Sequence, residues 1–275
     1  MLSLQLKKSE ASSIMASNEM IVTVVGSGTS QGVPVIACHC TVCKSDNKKD
    51  HRLRSSIHIQ HNDKSIMIDT GPDFRQQMLQ NQIEYLDAVL FTHEHKDHVA
   101  GLDDVRPYNF KQKKPVDIYC SNRVFEALKR EYIYIFDPKF KYPGIPQINQ
   151  LSIDKNSTIQ IGNTTIKPVE VMHYKLPVLG FRIDDFAYIT DAKTISDVEK
   201  EKIKDLDVLI INALRKEEHI SHLNLEQAVE MINDLSPKKA YLTHISHHMG
   251  LHEEIESTLP ENIKLAYDGL QIKLP

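Results

Sequence analysis

Four metal-binding side chains occur within six residues in the segment His93–His98, which reads His-x-His-x-Asp-His. The segment follows the apolar run Ala88–Phe91, which predicts a buried strand. Because side chains alternate along an extended chain, the first two histidines point the same way, and the Asp-His pair follows after a turn. Imidazoles with one carboxylate favour zinc, manganese or iron over calcium. The spacing predicts a centre for two metals with positions left open for water, whereas the competing interpretation is a polar loop with incidental histidines.

Three cysteines form a second candidate metal site in the loop 36–46, where Cys38, Cys40 and Cys43 give the pattern Cys-x-Cys-x-x-Cys. This spacing brings three sulfur ligands to one point, as a tetrahedral zinc site needs, and the fourth ligand must come from elsewhere. Such a cluster suggests a metal site in a reducing cytosol more than disulfides. The alternative is three reduced thiols on a loop. The fourth cysteine, Cys120, is expected to be a buried apolar residue.

Strands and turns precede each of these clusters. Ile21–Val25 predicts a first core strand, and the glycine-rich loop Gly26–Pro34 that follows has neither the Walker lysine nor the spacing of a dinucleotide-binding fingerprint. Arg54–Ile59 and Ser65–Asp69 predict a hairpin, after which the chain starts a helix. Further strands are predicted at 116–120, 158–161, 164–171, 180–183, 187–190, 208–212 and 239–243, helices at 122–131 and 225–235, and a turn at 103–109.

Length and composition limit the class of protein. The chain has 275 residues and 41% hydrophobic residues, enough for one large α/β domain. A net charge of −4 argues against general nucleic-acid binding, so small nucleotides are the only nucleic-acid partners expected. Residues 1–20 form a polar segment, expected to be loose, without the apolar core of a secretory signal. With no apolar run near ~18 residues, we expect a cytoplasmic protein with no membrane partner.

The segment His93–His98 with the following Gly101-Leu102 resembles the signature of the metallo-β-lactamase fold hydrolases. The resemblance implies a four-layer αββα sandwich of two mixed sheets over residues 21–275. It also implies two divalent metals (zinc or manganese, with iron a further candidate). The ligands it implies are, for one metal, His93, His95 and His173; for the other, Asp97, His98 and His244; and, between them, Asp191.

The cysteine loop, directly after Gly32-Val33-Pro34, resembles the PhnP-like phosphoribosyl 1,2-cyclic phosphate phosphodiesterases within that family. Those enzymes carry a structural zinc on three loop cysteines and one C-terminal histidine. The resemblance therefore implies a zinc on Cys38, Cys40, Cys43 and, as our choice, His247, with His248 and His252 as competitors.

Further site residues are implied by the same resemblance. Asp97 would orient the attacking hydroxide that two metals generate at neutral pH, and His222 would act as general acid or phosphate donor. Asp69 would support the metals from outside the ligand set, or serve only as a cap of the following helix. From the sequence itself, Ser30 in the glycine-rich loop and Arg106 are candidates for contact with substrate phosphate. The alternative for Arg106 is an ordinary surface arginine, and for His222 a helix-entry histidine that faces solvent.

The predicted activity is opening of small cyclic phosphodiesters such as phosphoribosyl 1,2-cyclic phosphate or 2′,3′-cyclic nucleotides. An RNase Z-like tRNA nuclease is an alternative, although no basic or Gly/Pro-rich arm for tRNA is visible. Hydrolysis of a thiolester, lactone or β-lactam on the same fold is another. The aromatic and proline-rich segment 132–146 has three open roles: a cover over the site, a homodimer contact or a packed connection.

Overall fold

Two seven-stranded mixed sheets form the centre of the protein. A computed structural model describes residues 19–140 and 142–275. In spatial order, the first sheet contains β14 (Gln271–Leu274), β1 (Met20–Gly26), β2 (Ser56–His61), β3 (Lys64–Ile68), β4 (Ala88–Leu90), β5 (Val116–Cys120) and β6 (Ile148–Ser152). The second contains β13 (Ile263–Leu265), β12 (Lys239–Thr243), β11 (Val208–Asn212), β10 (Phe186–Ile189), β9 (Leu176–Ile183), β8 (Thr164–His173) and β7 (Ile159–Ile161).

Helices cover the outer face of each sheet. They are α1 (Phe74–Gln80), α2 (Lys96–Val99), α3 (Arg106–Gln112), α4 (Asn122–Glu131), α5 (Ile133–Phe136), α6 (Asp197–Glu201), α7 (Leu225–Leu235) and α8 (His252–Glu256). The longest, α7, starts with the capping box predicted by Asn224 and Gln227, in which each side chain bonds the other residue's backbone N–H. None of the helices in the described part of the chain has the length and apolarity needed to cross a membrane.

The alternation of side chains along the strands produces four layers. In β3, Ile66 and Ile68 enter the core between the sheets, while Met67 faces the helical layer on the other side. The core between the sheets also contains Phe181 and Tyr188 from the second sheet, both fully buried. Both faces of the central strands are therefore apolar, which is typical of sheets covered on two sides. The predicted αββα sandwich is confirmed.

The parallel strands determine where the site forms. In the first sheet β3, β4 and β5 run parallel, and in the second β10, β11 and β12 do so. Their carboxyl ends meet at one edge of each sheet, where ligands bind in open α/β sheets. Asp69 follows β3, the metal-binding segment follows β4, Asp191 follows β10 and His244 follows β12. These residues thus arrive at one edge of the sandwich, and His173, the last residue of β8, groups there with Asp191.

Several elements differ from the sequence prediction. The predicted turn 103–109 is instead a short 3₁₀ turn, Leu102–Val105, that continues into α3, because Pro107 lies in the first helical turn where proline is tolerated. The edge strands β6, β13 and β14 were not predicted. Strand β1 begins at Met20, which pairs with Leu274. Met20 therefore belongs to the sheet rather than to the predicted loose segment. Residues 1–18 of that segment lie outside the described residues.

The segment 132–146 packs against the turn that follows the metal-binding segment. The hydroxyl of Tyr132 donates to the carbonyl of Val99 at 2.9 Å, and that of Tyr134 donates to the Asp103 carboxylate at 2.5 Å. This supports the packed-connection interpretation for the start of the segment. Phe140 and Tyr142 remain exposed, and the homodimer contact stays a prediction.

Candidate metal centre

The metal-binding segment is held by its contact with the turn that follows β3. The Thr70 N–H bonds the carbonyl of His98, and the Gly101 N–H bonds the carbonyl of Thr70. A side chain at Gly71 would collide with the Asp97 carbonyl, and one at Gly101 with the Gly71 carbonyl. These two glycines therefore allow the two loops to approach closely, which fixes the loop that carries Asp97 and His98.

The predicted ligands converge on one centre. Six of the seven, together with His222, fall into three groups whose ligand atoms lie within 4.8 Å of one another: His93, His98 and Asp191; Asp97, His98 and His244; and His173, Asp191 and His222. His95 is exposed, and its ring lies 4.6 Å from that of His93 and 5.3 Å from that of His173. Asp191 and His98 each belong to two groups. The structure thus brings together all seven residues predicted to bind the catalytic metals.

Asp191 lies at the middle of this arrangement. One of its oxygens is 3.2 Å from Nε2 of His98 and 3.4 Å from Nδ1 of His244. Its other oxygen is 3.6 Å from Nδ1 of His222. Its ligand atoms also group with those of His93 and His173 of the other predicted set. A carboxylate placed between imidazoles of both sets has the position that a bridging ligand requires.

Each of four histidines has a hydrogen-bond partner on the side away from the centre. Nδ1 of His98 bonds the Asp69 carboxylate at 2.7 Å, and Nδ1 of His173 bonds the carbonyl of Ser221 at 2.8 Å. The two others bond hydroxyls: Nδ1 of His93 that of Thr92 at 3.0 Å, and Nε2 of His244 that of Thr29 at 3.1 Å. Partners of this kind fix the tautomer and the ring orientation of metal-binding histidines.

Asp69 also controls the Thr92 hydroxyl. Its carboxylate accepts the Thr92 N–H and O–H, both at 2.8 Å, so the hydroxyl oxygen is left to accept from His93. One carboxylate therefore orients two histidines, directly through His98 and indirectly through Thr92. This places Asp69 outside the ligand set, where the resemblance expected it.

Three of the converging residues have strained backbones. Asp69, Asp191 and His244 have φ values of 65°, 56° and 57°, in the left-handed region that residues other than glycine rarely occupy. Each lies within two residues of the carboxyl end of a parallel strand. Strain of this kind persists where the surrounding structure enforces it, and it often marks functional sites.

The charges at the centre are strongly coupled. Burial opposes the charged form of His98, but Asp97, Asp191 and Asp69 hold its pKa well above the ordinary value. Burial, together with the charge of His98, holds the pKa of His93 well below the ordinary value. Nε2 of both histidines is buried without a hydrogen-bond partner, although three carboxylates lie close by. Orphaned imidazole nitrogens among carboxylates fit divalent cations, whose ligands they are in proteins.

His222 lies directly against the centre. It is 8% exposed, and its ring centroid is 4.4 Å from that of His173 and 5.0 Å from that of His244. Burial lowers the pKa of His222 to about 3, so the ring is neutral at pH 7. Its Nδ1 has no hydrogen-bond partner. The histidine predicted to face substrate is therefore near enough to serve either as a donor to substrate or as a ligand.

The three cysteines meet His247 rather than either competing histidine. Nδ1 of His247 is 3.3, 3.4 and 3.6 Å from Sγ of Cys38, Cys40 and Cys43. A tetrahedral zinc with ordinary Zn–S and Zn–N bonds would place sulfur and nitrogen about 3.6 Å apart. The four atoms therefore fit one zinc ion.

The competing histidines have other environments. Nδ1 of His252 instead bonds the buried Arg52 at 3.1 Å, and the ring of His248 packs beside that of His247 at 4.0 Å. Neither belongs to the group formed by the three sulfurs and His247.

Two residues predicted to contact substrate have other partners in the structure, and their contact with substrate stays a prediction. Arg106 pairs with Asp103 at 3.3 Å and contacts the carbonyl of Gly144, and Ser30 is exposed with its carbonyl bonded to Arg54. The neighbour of Ser30, Thr29, contacts His244 instead. Sequence reasoning missed Thr29, Thr92 and Ser221 as partners of the histidines. Only Thr92, which precedes the metal-binding segment directly, had a local signal.

A family comparison gives the same assignment as the geometry. The sequence profile of the Beta-lactamase superfamily domain matches residues 64–245. A solved structure titled a new diphosphatase from the PhnP family has 38% sequence identity and a TM-score of 0.87, over 93% of this chain and 97% of that chain. The chain belongs to the metallo-β-lactamase superfamily, in its PhnP-like branch. It is a metal-dependent hydrolase whose fold binds divalent metals.

Two curated relatives are also similar. A Porphyromonas gingivalis protein named octanoyltransferase is 41% identical over 250 residues, which cover 90% of this chain and 50% of that protein. A ribonuclease Z of Clostridium acetobutylicum is 24% identical over 208 residues, which cover 74% of this chain and 65% of that enzyme. The chain therefore spans about half the length of the first relative and less than two thirds of the second.

Proposed function

We propose that this metallo-β-lactamase superfamily hydrolase opens small cyclic phosphodiesters, such as phosphoribosyl 1,2-cyclic phosphate or 2′,3′-cyclic nucleotides. The observation that carries the proposal is the group formed by Cys38, Cys40, Cys43 and His247, with sulfur–nitrogen distances of 3.3 to 3.6 Å. This group is the feature by which the chain resembles PhnP-like phosphodiesterases. A structural zinc at these residues would join the cysteine loop to the segment that follows His244.

Seven residues would hold two catalytic metals: His93, His95 and His173 on one side, Asp97, His98 and His244 on the other, with Asp191 shared. Two divalent ions in such a site lower the pKa of bound water and neutralise charge on phosphoryl oxygens. Zinc, manganese and iron all suit imidazole and carboxylate ligands. Asp97 would accept a hydrogen bond from the attacking water. Its carboxylate lies at the centre, 3.1 Å from Nε2 of His98, and its side chain is still partly exposed.

His222 would donate a hydrogen bond to a phosphoryl oxygen of the substrate. The neutral ring has one N–H, and the orphaned Nδ1 and the contact with His173 support this role. A proton given to the leaving oxygen would require the protonated ring, which a pKa of about 3 disfavours at pH 7. Of the two roles expected from the sequence, the structure therefore favours the donor.

A second candidate activity is hydrolysis of a diphosphate bond, which the similarity to a PhnP-family diphosphatase at 38% identity favours. The same two metals and the same donor would act on a phosphoric anhydride. The octanoyltransferase name belongs to a protein of which this chain matches half, so it gives little support to thiolester chemistry here. An RNase Z-like activity rests on a relative at 24% identity.

The test is a hydrolysis panel on purified, metal-loaded protein. It contains phosphoribosyl 1,2-cyclic phosphate, adenosine 2′,3′-cyclic phosphate, an asymmetric nucleoside diphosphate, a tRNA precursor, a thiolester, a lactone and a β-lactam. The proposal expects the highest kcat/KM on a cyclic phosphate. The highest value on the diphosphate would select the second candidate, and the highest value on a substrate without phosphorus would reject both.

A further inference from the structure

The end of strand β11 carries a buried amide side chain that has no role in the proposed chemistry. Asn212 is the last residue of β11 and is fully buried. Its Oδ1 accepts the N–H of Ala192 at 2.7 Å, and its Nδ2 donates to the carbonyl of the same residue at 3.0 Å. The amide therefore holds one residue of the neighbouring loop by both of its backbone groups.

The residue that Asn212 holds directly follows Asp191. Because the φ of Asp191 is 56°, the chain leaves β10 through a left-handed conformation, which persists only where the surrounding structure enforces it. The Thr190 hydroxyl donates to Oδ2 of Asp191 at 2.7 Å and so ties the carboxylate to its own chain. The position of the carboxylate at the centre therefore depends on where the backbone of residues 190–192 lies, and Asn212 fixes one end of that backbone.

The same backbone also holds the loop that carries His222. The carbonyl of Ala192 accepts the N–H of Leu223 at 2.9 Å, in addition to the bond from Asn212. On the other side of His222, the carbonyl of Ser221 bonds Nδ1 of His173 at 2.8 Å. His222 is thus attached at one end to a predicted ligand and at the other to the residue that Asn212 holds.

The order of the strands explains why one amide reaches this junction. Strand β11 lies between β10, which leads to Asp191, and β12, which leads to His244, and it is parallel to both. In the last register pair of β11 and β12, Asn212 lies opposite Thr243, the residue before His244. Asn212 therefore lies between the ends of the two strands that supply these predicted ligands.

A buried asparagine could serve only to satisfy backbone groups, and the chain contains an example of this. Asn109 of α3 is buried, accepts the N–H of Gln147 at 2.8 Å and donates to the carbonyl of the same residue at 2.9 Å. Gln147 precedes β6, which is parallel to β5, so this contact lies at the amino ends of the strands, opposite the metal centre. The two asparagines make the same kind of contact, but only Asn212 holds a residue next to a predicted ligand.

We propose that Asn212 is a positioning residue that holds both Asp191 and His222 at the metal centre through the backbone of Ala192. The inference rests on the ligand role of Asp191 in the proposed function. Asn212 acts on the two side chains only through the backbone to which they are attached. Groups that orient metal ligands from outside the ligand set typically contribute about 10- to 100-fold to metal affinity or activity.

The test compares Asn212→Ala with the matched control Asn109→Ala. Each variant removes both side-chain bonds to one backbone residue, so the two should lower the thermal unfolding temperature of the metal-free protein by similar amounts. Zinc binding is then measured by competition with a chromophoric chelator. The cysteine site is the same in all of these proteins, so a difference between them reports the catalytic centre. We expect Asn212→Ala to bind zinc at this centre about 10- to 100-fold more weakly than the native protein, and Asn109→Ala to bind it with native affinity.

A double-mutant cycle tests the part of the inference that concerns His222. On the substrate that the hydrolysis panel selects, Asn212→Ala and His222→Ala together should lower kcat/KM by less than the product of their separate effects, because one acts partly through the other. Effects that multiply fully would overturn the link to His222.

Native zinc affinity in Asn212→Ala, with only the loss of stability that Asn109→Ala shows, would overturn the inference. If the alanine variant is too unstable to purify, Asn212→Ser and Asn109→Ser give the same comparison, since the serine hydroxyl keeps part of the hydrogen-bonding capacity. Metal binding needs no substrate, so this result holds even where the panel rejects cyclic phosphates. Retention of both catalytic metals by Asp191→Ala would overturn the ligand role of Asp191 and, with it, this inference.

Discussion

Replacement of His222 by alanine separates two chemical roles at the centre. His222 is buried, its pKa is lowered to about 3, and its ring contacts those of His173 and His244. As a neutral donor to a charged phosphoryl oxygen it should contribute about 1.5–3 kcal/mol, a factor of about 10 to 150 in kcat/KM. As a general acid it would contribute roughly 10²–10⁴. The two ranges overlap, so the size of the loss alone does not decide between the roles.

The leaving group provides the decisive comparison. Adenosine 2′,3′-cyclic phosphate expels an alkoxide that needs a proton, whereas bis-p-nitrophenyl phosphate expels a phenolate that does not. A donor to the phosphoryl group predicts similar losses on the two substrates in His222→Ala. His222→Asn keeps an N–H donor without an acid and should recover part of both rates.

A loss confined to the cyclic substrate, without recovery in His222→Asn, would refute the donor role and assign general acid catalysis. Metal content is measured on the same samples. Loss of a metal from His222→Ala would show that His222 is a ligand, as its grouping with His173 and Asp191 also allows.

Three further perturbations test other parts of the account. Cys40→Ser should remove one zinc and lower stability while the catalytic metals remain, and His247→Ala but not His248→Ala should do the same; metal analysis and thermal unfolding check this. Asp191→Ala should empty or disorder both catalytic positions and lower kcat/KM by several orders of magnitude, while circular dichroism shows that the fold is retained. Metal analysis that finds two catalytic metals still bound would count against a bridging role. Burial lowers the pKa of His58 to about 4 from 6.5, so the unfolded state binds more protons between these values and stability falls as the pH drops. This histidine should remove about 2 kcal/mol between pH 8 and pH 5, and denaturation of His58→Gln should show a correspondingly smaller pH dependence.

The central strands and the longer helices could be predicted from the sequence because their patterns are local. Strand 208–212 is a continuous buried run, strands 116–120 and 239–243 are mostly buried, and α7 carries its own capping box. The three missed strands have weak local signals for different reasons. In β6 no residue is buried, and β13 and β14 alternate but have only three and four residues. Helix α3 was missed because Pro107 suggested a turn, although proline is compatible with the first turn of a helix.

The site could be predicted only where its chemistry is concentrated in short motifs. The ligands cluster in one segment or follow apolar strands, so type and spacing identify them. Type and spacing do not identify the partners that orient these ligands. Thr29 precedes His244 by 215 residues, and Ser221 contacts His173 through a backbone carbonyl that no residue type specifies. Arg106 is close in sequence to the metal-binding segment, but its side chain pairs with Asp103, so its contact with substrate stays a prediction.

Chelation of the metals during hydrolysis of a cyclic phosphodiester tests the central claim most directly. The native protein, loaded with zinc or manganese, should open phosphoribosyl 1,2-cyclic phosphate or adenosine 2′,3′-cyclic phosphate with a higher kcat/KM than it shows on a thiolester, lactone or β-lactam. Removal of the metals should abolish this activity, and their return should restore it. Undiminished hydrolysis after verified metal removal, or a non-phosphorus substrate turned over best, would contradict the account.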